Sequence, residues 1–242
     1  MFVWVFASVL AFFIKGLCGF ANTLIFTSIL SFRVDNVLIS PVELLLGSRT
    51  NMIIAGKERK AISWRLCLPV AALVLAGSVL GVIFLKNVNA DLVKLLFGLV
   101  IVCLCMEMLL ENRHPSKREK SRLASTLIGL LSGFLCGLYG VGALAGIYMG
   151  RVTEDTHSFK ANLCVVFLLE NVFRFAIYIA YGIITWEAVT RALTLLPVML
   201  ISLFAGMKLS GRINEAGVRR LVTVMLVASG LALMIKSGLN LI

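Results

Sequence analysis

The chain has 242 residues, 60% of them hydrophobic and only 14% charged, and its mean hydropathy is +1.00. A soluble domain of this length does not need so much apolar side chain to fill its core, so an ordinary soluble fold is excluded. The net charge of +11 does not indicate nucleic acid, because the basic residues sit in short clusters between apolar runs, as in the loops of a membrane protein.

The N-terminus is apolar from Phe2 with no basic region ahead of it, so no cleavable signal is expected. Apolar stretches follow at 2–32, 37–56, 66–85, 92–110, 122–150, 159–182, 188–207 and 217–241. The six shorter ones are near the ~20 residues that span hydrocarbon as a helix. The first and fifth would each be ~45 Å as one straight helix, well beyond a ~30 Å core. Both are interrupted by glycine: Gly16-Leu17-Cys18-Gly19 in one, Gly137-Leu138-Tyr139-Gly140 in the other. Matching breaks in two halves point to a transport site. The six cysteines lie in or beside apolar segments without zinc or redox spacing and read as small packing residues.

The halves match in order. The two glycine breaks align, Ile62-Ser63-Trp64 aligns with Ile184-Thr185-Trp186, and the stretch from Asn89 aligns with that from Asn214, at offsets of 121 to 125. The pattern indicates a duplication: a first repeat over 1–110, a basic cytoplasmic link over 111–122 and a second repeat over 123–242.

Loop charge decides between crossing and returning segments. If all eight stretches cross once, Lys and Arg divide 11 against 9 between the two sides. If the first and fifth return to the side they entered, the division is 15 against 5, with Lys15, Arg49 and Arg174 within the membrane. The second division is what the positive-inside rule expects. The expected fold is therefore an all-α polytopic membrane protein of two inverted repeats. Each repeat is a glycine-broken hairpin followed by three transmembrane helices, and both termini face the exterior. Ordinary crossings with a weak charge bias are the alternative.

Irregular backbone at membrane depth must be buried in protein or line a cavity. At each hairpin tip the returning helix presents free N–H groups and the positive end of its dipole. Near Gly19 and Gly140 the absence of a side chain lets an ion approach the backbone. Lys15 adds a formal charge there, and Asn22, Thr23 and Tyr139 add donors. Two tips together would make a cationic pocket for a small anion. Alternatively, Gly16, Gly19, Gly133, Gly137, Gly140 and Gly142 serve only close helix contacts. Further polar residues within apolar segments are Glu43, Arg49, Asn51, Glu107, Glu170, Asn171 and Arg174. Glu170 and Arg174, four apart, can pair on one helix face. Arg49 has no acidic neighbour three or four residues away, and Asn51 and Asn171 occupy similar places in the two copies.

With these residues the sequence resembles the TauE/SafE family of sulfite exporters, also called the toluene-sulfonate uptake permeases. The family's glycine-rich motif reads Gly137-Leu138-Tyr139-Gly140-Val141-Gly142 in the second copy, and its tryptophan opening a later segment of each half is matched by Trp64 and Trp186. In the first copy Ala21 and Asn22 stand where glycines are usual. The resemblance implies secondary transport or facilitated export of sulfite, a sulfonate or a related organosulfur anion. It leaves open a coupling ion (proton or sodium) and a homodimer, and implies no cofactor. A passive anion channel would use the same pocket. A membrane-embedded enzyme would need a compact catalytic set, and His114 and His157 sit in separate loops without acidic partners at ligand spacing.

Overall fold

A computed structural model describes residues 1–87 and 155–210, with isolated positions among 92–153 and 227–235. The described elements are helical: α1 (Phe2–Cys18), α2 (Asn22–Ser31), α3 (Asn36–Lys57), a 3-10 turn (Arg59–Ala61), α4 (Trp64–Asn87), α5 (Thr156–Ala180) and α6 (Trp186–Leu209). Four of these helices contain stretches long and apolar enough to cross a membrane: Val37–Lys57, Trp64–Gly81, His157–Ala180 and Trp186–Leu209. The chain is a multi-pass membrane protein. The link over 111–122 lies outside the described residues, as do most of the stretches expected at 92–110 and 217–241 and most of the second hairpin, its glycine break at 137–142 included.

The first apolar stretch breaks where the glycines predict. Gly19 ends α1 in the left-handed region (φ 84°), its N–H donating to the Lys15 carbonyl at 2.7 Å. Ala21 then takes φ 71° and opens α2. The chain doubles back at this point. Phe12 and Phe26 have ring centroids 6.1 Å apart, whereas fourteen residues of straight helix would separate them by ~21 Å. The ten residues of α2 cover only ~15 Å, about half a hydrocarbon core, so this arm cannot cross alone.

Both later helices begin on side-chain caps. Asp155 accepts from the Ser158 N–H at 2.8 Å and Thr185 from the Ala188 N–H at 3.2 Å, satisfying donors the first turn leaves open. Tight packing uses glycine at two crossings. A Cβ on Gly16 would lie 2.9 Å from the Cα of Gly206 on α6, and one on Gly133 would lie 2.9 Å from the Cα of Gly77 on α4. Such close approach is how helices gain dispersion contact where no hydrophobic effect drives them together. The α1–α6 crossing is parallel, since the Arg191 guanidinium also sits 4.8 Å from the centre of the Trp4 ring. The hairpin is thereby clamped along α6 on one side and against α3 on the other.

Ala21 stores strain at the tip, because an L-residue with a Cβ pays about 1–2 kcal/mol in the left-handed region. Ala21→Gly should raise the apparent unfolding midpoint in detergent, by up to about 1 kcal/mol after the extra chain entropy of glycine is offset. Ala21→Val should lower it. A midpoint unchanged or lowered in Ala21→Gly would show that the tip is relaxed with alanine.

Candidate functional site

Where the hairpin tip meets α3 and α5, four formal charges are buried together: Lys15 (1% exposed), Glu43 (3%), Glu170 (2%) and Arg174 (1%). The Lys15 ammonium donates to Asn51 Oδ1 at 2.7 Å. Glu43 Oε1 accepts from Asn22 Nδ2 at 2.9 Å and from Thr23 Oγ1 at 2.6 Å, and Glu43 Oε2 from Arg174 at 3.4 Å. A carboxylate of α3 is thus held at the start of α2, where free N–H groups and the helix dipole favour negative charge.

Arg174 joins the remaining walls. Its guanidinium donates to the Cys136 carbonyl at 2.7 Å and to Asn171 Oδ1 at 3.3 Å, and stands 5.7 Å from the centre of the Tyr178 ring. Glu170 lies 3.5 Å from Arg174 Nε, an electrostatic contact without hydrogen-bond geometry, since Nε has no hydrogen-bond partner. On α4, Ser78 Oγ is 3.3 Å from Glu170 Oε1 and 3.1 Å from the Gly133 carbonyl oxygen. Two cations and two carboxylates thus neutralise one another at depth, which is the condition under which ionisable groups persist inside a membrane. Among the described residues no group of three or more His, Cys, Asp or Glu could hold a metal.

A family model described as sulfite exporter TauE/SafE matches residues 4–233. The chain belongs to this family. No curated protein and no solved structure matches it. As a TauE/SafE protein it is a member of a transporter family, in keeping with its long apolar helices.

The expected site residues divide under this geometry. Lys15, Asn22, Thr23, Asn51, Asn171 and Arg174 fall into one cluster. Gly16 and Gly19 stand at the tip but face protein: the Cβ position of Gly16 is filled by the α6 backbone, and that of Gly19 lies 2.5 Å from Lys160 Cγ. Arg49 is on the exposed side of α3, donating to the Leu45 carbonyl of its own helix at 2.9 Å, away from the cluster. Gly137, Tyr139, Gly140 and Gly142 lie outside the described residues, as does Glu107.

Two contributors escaped the sequence reading of the site. Glu43 was visible as a buried charge but not as the residue that fills the tip. The signal was the spacing Ser40, Glu43, Gly47 and Asn51, which puts all four on one face of α3. Lys160, one of the cations that the charge division leaves outside the membrane, is instead buried. It caps the end of α1, donating to the Leu17 carbonyl at 2.7 Å and to Ser210 Oγ at 2.8 Å.

Removing Arg174 leaves Glu43 and Glu170 buried without their shared cation, and breaking such an arrangement costs about 3–5 kcal/mol. Arg174→Gln should therefore lower the unfolding midpoint steeply. Adding Glu170→Gln should recover part of the loss, and adding Glu43→Gln as well should recover more. Equal midpoints for the single and triple variants would show that Arg174 does not pair with these carboxylates.

Proposed function

We propose that this TauE/SafE protein is a carrier of a small oxyanion, sulfite or a related organosulfur anion, and that the anion binds between Lys15 and Arg174. The observation that carries the reading is the coordination of Glu43. A two-oxygen anion already sits at the hairpin tip, taking one amide, one hydroxyl and one guanidinium donor. Those three donors suit a free oxyanion equally well, and among the described residues Lys15 spends one of its three donors, on Asn51. In this reading the substrate enters as Glu43 withdraws, exchanging one negative charge for another so that the cations are never left unpaired.

Lys15, Arg174, Asn22, Thr23, Asn51 and Asn171 bind or orient the substrate, and Gly137, Tyr139, Gly140 and Gly142 supply the second tip. The inverted duplication belongs to the same proposal. Two features support it: Asn51 and Asn171 each hold a cation, and Gly16 and Gly133, from opposite halves, each pack on a glycine of the other half. A carrier with one exchangeable anion predicts saturable sulfite counterflow in proteoliposomes; unsaturable flux would indicate the channel reading.

Lys15→Met keeps the length of the stem while removing the charge. It should weaken sulfite binding at least tenfold, about 1.4 kcal/mol, in a thermal-shift titration, with the fold retained. Parent-like binding by Lys15→Met would place the anion elsewhere.

A further inference from the structure

Seven buried side-chain atoms lack any hydrogen-bond partner among the described residues: Arg174 Nε and the hydroxyls of Ser8, Thr27, Ser28, Ser31, Ser40 and Tyr178. Each of these six hydroxyl residues is at most 3% exposed. Burying a hydroxyl without a partner is costly, and native structures rarely tolerate several together. Five of these six, Ser8, Thr27, Ser31, Ser40 and Tyr178, follow one pattern.

On α2, Thr27 and Ser31 continue the line of Thr23 at intervals of four, leading from Glu43 to the turn that bears exposed Arg33 and Asp35. Ser40 stands one turn from Glu43 toward that same turn. Tyr178 stands one turn beyond Arg174 toward the end of α5, facing Ser40 without hydrogen-bond geometry. Ser8 lies two turns from Lys15 on the same face of α1, toward the N-terminus. Four helices thus each carry hydroxyl groups from the charged cluster toward one face of the protein. On the other side of the cluster, Asn51, Lys160 and Asn162 all have partners.

We infer that the hydroxyls carried by α1, α2, α3 and α5 line a hydrated access route joining the Lys15–Glu43–Arg174 cluster to the face that bears Arg33. Water satisfies the hydroxyls when the route is filled. Hydroxyls also donate to oxyanions, and among the described residues no carboxylate stands between Glu43 and the turn, where Arg33 accompanies Asp35, so the route suits a small anion. That the passing solute is the substrate rests on the proposed function; the hydration of the route does not.

The test is modification of Ser8→Cys, Thr27→Cys, Ser31→Cys and Ser40→Cys in sealed vesicles by methanethiosulfonate ethylsulfonate, a membrane-impermeant anion. Peptide-resolved mass spectrometry reads each site separately, so the native cysteines remain in place. Arg33→Cys marks the face, and exposed apolar positions Phe6→Cys and Ile201→Cys report reaction through lipid. Variants are compared only where they elute as the folded parent does. Modification of two or more route positions, only from the face that labels Arg33→Cys and at least tenfold faster than at Phe6→Cys and Ile201→Cys, is expected. Rates no faster than those of the lipid controls, or reaction from the opposite face, would overturn the route. Modified route positions in a protein without saturable sulfite counterflow would leave the route standing and defeat the substrate reading.

Discussion

A guanidinium inside a membrane needs carboxylates and carbonyls arranged around it, and the placement of Arg174 shows how this fold meets that need. From α5 it reaches Glu43 on α3, the carbonyl of Cys136 and the Asn171 amide within single hydrogen-bonded contacts. Glu43 in turn fixes Asn22 and Thr23, and through them the start of α2. The orientation of the hairpin tip is therefore tied, through Glu43, to a charge that lies 131 residues beyond that carboxylate in the chain. Lys15, Arg174, Glu43 and Glu170 together carry no net formal charge, which lowers the cost of burying them.

In the proposed function, neutrality at rest is also what gives the site a transport cycle. A pocket holding only cations would bind its anion tightly and release it slowly. A pocket with its own carboxylate offers the cations an alternative partner whenever the substrate leaves, so occupied and empty states differ little in electrostatic energy. Glycine brings the backbones of α1 and α6 into close contact, while the side chains of Asn22, Thr23 and Glu43 join α2 to α3.

Much of this was legible in the sequence, and the rest was not, for identifiable reasons. The break after Gly16-Leu17-Cys18-Gly19 could be read because glycine and excess segment length are local signals. The pairing of Glu170 with Arg174 followed from their spacing. That Arg174 also takes Glu43 could not be read, because partners on different helices leave no periodic trace. The direction in which Gly16 and Gly19 present their missing side chains depends on α6 and on Lys160, far along the chain. Lys160 itself looked like a loop cation because it lies near the beginning of its helix, and only tertiary packing carries it to the end of α1. Arg49 shows the converse: its position within an apolar run suggested the site, while the helical phase of α3 turns it outward.

The exchange of Glu43 for a substrate anion is the claim on which the functional account depends. Its most direct test is equilibrium binding of radiolabelled sulfite to purified Glu43→Gln, on protein that elutes as the folded parent does. Removing the resident carboxylate removes the competitor while keeping the side chain's shape, so affinity should rise, by about tenfold if Glu43 and sulfite compete on equal terms. Weaker binding by the folded variant would contradict the account, because it would make Glu43 part of what holds the substrate rather than what the substrate replaces.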